Sequence, residues 1–209
     1  MNLPTVITVA RIATTPLIAA LPFYPTASAR MSAFVLFLVS INSDWVDGYL
    51  ARSRKEETDL GRMLDPLADK LLLVGTFIPM FLLARVMPFH TPFGDYGLPL
   101  WVVIIVLGRE LTMTLFRQYA AKRGVIIAAI WPAKWKTGVT AVWQSAAYFW
   151  FWLTTWAIER NIPANEFKFW SEALGLVGAA AMALAIALTL YSLFLYVRDY
   201  GKVLGTRAA

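Results

Sequence analysis

Three features of this sequence predict an all-α integral membrane protein with six transmembrane helices. First, 59% of its residues are hydrophobic and only 15% are charged; ordinary soluble domains are roughly half apolar and a quarter charged. Second, the mean hydropathy is +0.60, more than a water-soluble core of this size requires. Third, the apolar residues fall into six segments, roughly 5–24, 32–51, 62–84, 99–120, 136–157 and 173–197. Each is close to the ~20 residues that carry a helix across ~30 Å of hydrocarbon. Residues 1–209 contain no repeat, low-complexity tract or linker and read as a single six-helix domain.

The first segment, within NLPTVITVARI and its continuation, is expected to be a retained helix. Ala27-Ser28-Ala29 resembles a signal-peptidase site, but the first ten residues carry no Lys or Arg and Arg11 breaks the apolar run. Arg11 is expected to snorkel toward an interface. The second span runs through MSAFVLFLVS and ends on DWVDGYLAR. The third opens near Asp65, which is expected to cap it, with Pro66 at the first helical position, where a missing N–H is harmless. The fourth ends on GRELTMTLFRQ, and the fifth opens beside AKWKTG. Pro25, Pro88, Pro92 and Pro163 are assigned to connections. Trp101, Trp131, Trp135, Trp156 and Trp170 sit where interfacial belts belong.

Nineteen Lys and Arg against thirteen Asp and Glu give a formal charge of +6. Such a balance could suit nucleic acid, but loops facing anionic lipid account for it, and no nucleic-acid partner is expected. With the N-terminus inside, one side receives Arg52, Arg54, Lys55, Lys122, Arg123, Lys134, Arg198, Lys202 and Arg207. The other receives only Arg30, Arg85, Arg160 and Lys168. By the positive-inside rule the topology is N-in, C-in. Both ends of the DWVDGYLARSRKEETDLGRMLDPLADK stretch then reach the cytoplasmic face, as do GRELTMTLFRQ and AKWKTG.

That stretch holds the chemistry. Asp44 and Asp47 lie three apart, Asp65 and Asp69 four apart, so each pair shares a helix face. A short turn makes the two helices antiparallel neighbours, and four facing carboxylates repel unless cations intervene. Hard divalent ions such as Mg²⁺ or Mn²⁺ take oxygen ligands of this kind, and shared carboxylates can bridge two of them. There is no cysteine, and the single histidine, His90, maps to the outer side, so thiolate and histidine-rich zinc sites are excluded. Gly48, Gly61 and Ala51 keep the surroundings small enough for close approach, and Arg52 suits a phosphate. Either pair alone would read as solvated helix caps; the four together with two glycines and an arginine exceed that role.

Asp44-x-x-Asp47-Gly48-x-x-Ala51-Arg52, eight residues, Gly61-x-x-x-Asp65-x-x-x-Asp69 resembles the signature of the CDP-alcohol phosphotransferases, with every fixed position present. The resemblance implies a six-helix, usually dimeric membrane enzyme that uses a CDP-linked alcohol and releases CMP. It implies metal binding by Asp44, Asp47, Asp65 and Asp69, with Asp69 also the general base. Asp47, Gly48, Ala51, Arg52 and Gly61 would form the CDP site. Two divalent ions bridging a diphosphate match two-metal phosphoryl transfer generally.

The acceptor is read from a second cluster. Arg109 and Arg117 lie eight apart on one face of the fourth span beside Glu110, and Lys134 and Lys136 stand at the mouth of the fifth. Cations within a span need a partner; Glu110 or a ligand phosphate would serve, and the preferred reading is an acceptor carrying its own phosphate. GRE…R…G, KWKT and the NLPTVITVARI start resemble, within the family, the phosphatidylglycerophosphate synthases. That branch implies CDP-diacylglycerol as donor and glycerol 3-phosphate as acceptor. Cardiolipin synthesis, with phosphatidylglycerol as acceptor, is the alternative within the fold. A metal or solute transporter is the alternative of another class, disfavoured because MSAFVLFLVS and LLLVGTFIPMFLL offer almost no polar path. The expected location is a bacterial plasma (inner) membrane, with the active site facing the cytoplasm.

Overall fold

The computed structural model describes the backbone of residues 3–54, 59–125, 127–128 and 130–201, with side chains except those of 3, 4, 44–54, 59, 60 and 62. The chain runs through α1 (Leu3–Ala20), a short 3₁₀ turn (Leu21–Phe23), α2 (Ala27–Arg54), α3 (Asp59–Leu83), α4 (Leu100–Lys122), α5 (Trp131–Glu159) and α6 (Ala164–Tyr200). Each predicted span falls on one of these helices, give or take a few residues. Among the described residues there is no strand, only an isolated bridge between Phe89 and Tyr96. Thr5–Phe23, Met63–Leu83 and Ala164–Tyr200 are long and apolar enough to cross a membrane, and Ala27–Ser43 is a shorter apolar helix.

Burial does not sort by polarity as it does in a soluble protein. Thr8, Arg11, Thr76, Gln144 and Ser192 are buried, while Val39, Ile104, Leu111, Val142 and Phe194 are largely exposed. Lipid solvates apolar side chains and leaves polar groups to find partners inside. This is a membrane protein.

The helices gather into two compact units, the first Met1–Gly97 with Gln144–Leu176, the second Leu98–Trp143 with Val177–Ala209. In the first, contacts between α1 and α3 advance together along both helices, from Thr8–Asp65 to Arg11–Asp69, which makes the pair parallel. Further along, a Cβ on Gly75 would stand 2.9 Å from Thr15 Cγ2, so the glycine permits the close approach. Ile18, Ala33, Phe37, Leu72 and Tyr148 form the apolar core. Gln144 donates to Thr76 Oγ1 at 2.5 Å, satisfying two polar groups that hydrocarbon could not. The α2–α5 contacts run in opposite senses: Ala27 N–H to Glu159 at 2.7 Å, Arg30 to Thr155, and Phe37 stacked on Tyr148. They are antiparallel.

Two local expectations change. Pro66 does not open α3; the helix starts at Asp59 and Pro66 lies about two turns inside it. Prolines are tolerated within membrane helices, where neighbouring groups re-satisfy the freed carbonyl. Arg30, expected in an outer connection, is buried in the first turn of α2, where its Nε donates to the Pro22 carbonyl at 3.0 Å.

The connection after α3 is fastened to α6. Tyr96 donates its hydroxyl to the Gly175 carbonyl at 2.9 Å, and burial pushes its pKa upward. A Cβ on Gly175 would collide with the His90 carbonyl. Gly175→Ala is therefore expected to destabilise the protein by about 1–3 kcal/mol, lowering the melting midpoint in detergent by roughly 2–10 °C. An unchanged midpoint would mean that the loop is not packed there.

In the second unit α4 and α6 are also parallel, Arg109 meeting Ser192 and Arg117 meeting Tyr196. Met113, Phe116, Ala120, Ile127 and Tyr196 form its core. Gly124, at φ +75°, ends α4. Its N–H bonds to Ala121 and that of Val125 to Ala120, each at 3.0 Å, a Schellman closure in which glycine carries the left-handed residue.

Candidate active site

Asp65 and Asp69 stand one turn apart on α3, both exposed. Each is held from the protein side by α1: Thr8 Oγ1 donates to Asp65 Oδ1 at 2.8 Å and Arg11 Nη1 to Asp69 Oδ1 at 2.9 Å. Arg11 is 2% exposed, which corrects the snorkelling expectation. An anionic partner within reach outweighs the gain from rehydrating the guanidinium at an interface. Gly61 is half-buried in the first turn of α3. Asp44, Asp47, Gly48, Ala51 and Arg52 belong to α2, and their side chains lie outside the described ones. Lys55, Lys202 and Arg207 lie outside the described residues altogether.

The donor chemistry on α3 fits hard divalent cations. Two carboxylates project from one face one turn apart, oxygen donors of the kind such ions take, and each has an outer hydrogen bond of the kind that orients metal ligands. Sequence reasoning missed Thr8 and Arg11 as partners. The signal was present: Thr5, Thr8, Arg11 and Thr15 recur at spacings of three, three and four, a polar stripe along an otherwise apolar helix, and all four are buried.

The cationic cluster lies in the second unit. Arg109 donates from Nη1 to Glu110 at 2.8 Å and from Nη2 to Ser192 at 3.0 Å. Its Nε is buried with no hydrogen-bond partner among the described residues. Buried Lys136 also pairs with Glu110. Arg117, exposed, donates from Nη2 to the Tyr196 hydroxyl at 3.0 Å. The guanidinium carbons of Arg109 and Arg117 lie 5.8 and 5.5 Å from the Tyr196 ring centre, within range of a cation–π attraction. Lys134 is exposed near the start of α5. Among the described residues Arg109 and Lys136 thus share a single carboxylate while Arg117 has none, leaving an excess of positive charge suited to an anion. Of the two in-span arginines only Arg109 pairs with Glu110; Arg117 meets the Tyr196 hydroxyl instead. Ser192 and Tyr196 were missed; they mark one face of an otherwise apolar helix at a spacing of four.

A family model described as CDP-alcohol phosphatidyltransferase matches residues 1–191. A cardiolipin synthase (CMP-forming) from Oryza sativa subsp. japonica is 30% identical over 98% of the chain and 59% of its own length. The chain therefore spans about three fifths of that relative. A CDP-diacylglycerol–glycerol-3-phosphate 3-phosphatidyltransferase from Pseudomonas fluorescens is 30% identical over 95% of the chain and 89% of its own length. One of the same name from Bacillus subtilis (strain 168) is 34% identical over 69% of the chain and 75% of its own length. With nearly its whole length matched by the model and its acidic signature intact, the chain belongs to the CDP-alcohol phosphatidyltransferase family of enzymes.

Proposed function

We propose that this protein transfers the phosphatidyl group of CDP-diacylglycerol to glycerol 3-phosphate, giving phosphatidylglycerol phosphate and CMP. The observation that carries the reading is the complete Asp44-to-Asp69 signature in a chain that also sets Arg109 and Lys136 on one carboxylate and Arg109 and Arg117 beside Tyr196. Relatives from Pseudomonas fluorescens and Bacillus subtilis that bear the corresponding name support it.

Members of this family generally depend on a divalent metal. In this proposal Asp44, Asp47, Asp65 and Asp69 hold two Mg²⁺ or Mn²⁺ ions, which would neutralise the diphosphate and stabilise the departing CMP. Asp47, Gly48, Ala51, Arg52 and Gly61 accommodate the cytidine diphosphate. A hydroxyl oxygen of glycerol 3-phosphate attacks the phosphatidyl phosphorus, the bond from that phosphorus to the CMP oxygen breaks, and Asp69 accepts the hydroxyl proton. Arg109, Arg117, Lys134 and Lys136 bind the acceptor phosphate. Six spans, an N-in and C-in topology, a cytoplasm-facing site in a bacterial inner membrane, a single functional domain and a homodimer complete the reading. The Lys and Arg asymmetry between alternate connections supports the topology.

Cardiolipin synthesis is the second reading, favoured by the name of the rice relative. One assay separates the two. Purified protein in detergent with Mg²⁺ or Mn²⁺ receives CDP-diacylglycerol and, in separate reactions, glycerol 3-phosphate, phosphatidylglycerol, inositol phosphate or water. CMP release with glycerol 3-phosphate alone is expected. Release with phosphatidylglycerol alone moves the protein to cardiolipin synthesis, and no release with any acceptor removes the enzymatic reading.

A further inference from the structure

We propose that α1 is the positioning arm of the acidic site, with Thr8 and Arg11 setting the orientation of Asp65 and Asp69. This deepens the reading above and rests on it for the identity of the metal ligands. The first observation is a matched register between two helices. Donors three apart on α1 meet carboxylates four apart on α3, Thr8 with Asp65 and Arg11 with Asp69, at 2.8 and 2.9 Å. The two intervals rise about 4.5 and 6 Å along parallel axes, so both bonds form in one register and a slip in register breaks both.

The second observation is an asymmetry of exposure. The Arg11 side chain is 1% exposed and that of Asp69 is 58% exposed. The guanidinium therefore grips the carboxylate from the interior and leaves it facing outward, as an outer partner of a ligand should. Arg11 is charged at every working pH and presents a planar fork, so it fixes direction as well as charge. Third, the approach of α1 is enforced further along the helix. Thr15 closes its hydroxyl onto the Arg11 carbonyl at 2.8 Å, and its methyl group occupies the space that Gly75 leaves open. A helix that only anchored the chain in lipid would need neither the polar stripe nor the glycine notch. Thr8 and Arg11 act through Asp65 and Asp69 and are positioning residues.

Outer partners of metal ligands typically contribute about 10–100-fold in metal affinity or activity. The test uses the full chain in detergent with Mn²⁺ as probe, free Mn²⁺ being counted by its electron paramagnetic resonance signal. Thr8→Val and Arg11→Met are each expected to weaken Mn²⁺ binding by about 10–100-fold and to lower kcat. KM for glycerol 3-phosphate should stay within about twofold, because the acceptor cations lie on α4 and α5, outside the altered contacts. Arg11→Lys, which keeps the charge and loses the fork, is expected to recover part of the loss. If both variants match wild type in Mn²⁺ binding and kcat per folded molecule and differ only in melting midpoint, the proposal is overturned. Should Arg11→Met fail to fold, Thr8→Val, which preserves shape, decides alone by the same criterion. Wild-type protein that binds Mn²⁺ but releases no CMP sinks the transferase reading while the binding measurements still decide the role of α1. Wild-type protein without saturable Mn²⁺ binding overturns both.

Discussion

Asp69→Asn is expected to lower the rate of CMP release by about 10²–10⁴-fold, the usual span for removing a general base, while binding of CDP-diacylglycerol stays measurable. Asparagine keeps the shape of the side chain and an oxygen that Arg11 Nη1 can still reach, 2.9 Å away in the native pair. What it loses is the negative charge and the capacity to take a proton. A loss through misfolding would appear as a lower melting midpoint and reduced donor binding; a loss of chemistry would not. The same substitution at Asp65, whose partner is the neutral hydroxyl of Thr8, is expected to act mainly through metal affinity. Full turnover by Asp69→Asn would remove this residue as base and leave it at most a ligand.

Arg117→Ala should raise KM for glycerol 3-phosphate by about 10-fold or more, the equivalent of one charge-assisted hydrogen bond, and leave KM for CDP-diacylglycerol within about twofold. Arg117 is the informative cation of its cluster because it is exposed. Arg109 and Lys136 are buried against Glu110, so truncating either leaves that carboxylate under-compensated and mixes binding with stability. Arg117 gives up one hydrogen bond, to the Tyr196 hydroxyl, which also accepts the Ile130 N–H at 3.1 Å and so keeps a partner. An unchanged acceptor KM would make Arg117 a structural residue that braces α4 against α6. With phosphatidylglycerol as acceptor the variant also separates the two readings, since that lipid presents its phosphate as a diester and its headgroup hydroxyl to the site.

The helices were legible because hydrocarbon imposes a length and a composition on whatever crosses it. All six apolar segments correspond to helices, and Pro25, Pro88, Pro92 and Pro163 do stand in connections. Helix ends were less legible. The second apolar segment covers 32–51, whereas α2 runs from Ala27 to Arg54, because backbone hydrogen bonding carries on after the hydrophobic reason for the helix has ended. Pro66 misled for a related cause: a proline starts a helix cheaply, but a membrane helix also tolerates the lost bond and α3 passes through it.

For the site, the residue types and their periodicity were enough to single out Asp44, Asp47, Asp65 and Asp69, because a carboxylate beside hydrocarbon demands an explanation wherever it is found. Glu110 could likewise be named as a partner for Arg109 from adjacency alone. The identity of the groups that hold Asp65 and Asp69 was decided by tertiary structure. Arg11 lies more than fifty positions from Asp69, and a lone arginine in a span has two low-energy fates, reaching for the interface or reaching for an anion. Only the docking of α1 beside α3, permitted by the absent side chain of Gly75, selects the second. Tyr196 belongs to the same class: its helix is apolar enough to face lipid on any side, and packing against α4 is what turns its hydroxyl toward Arg117.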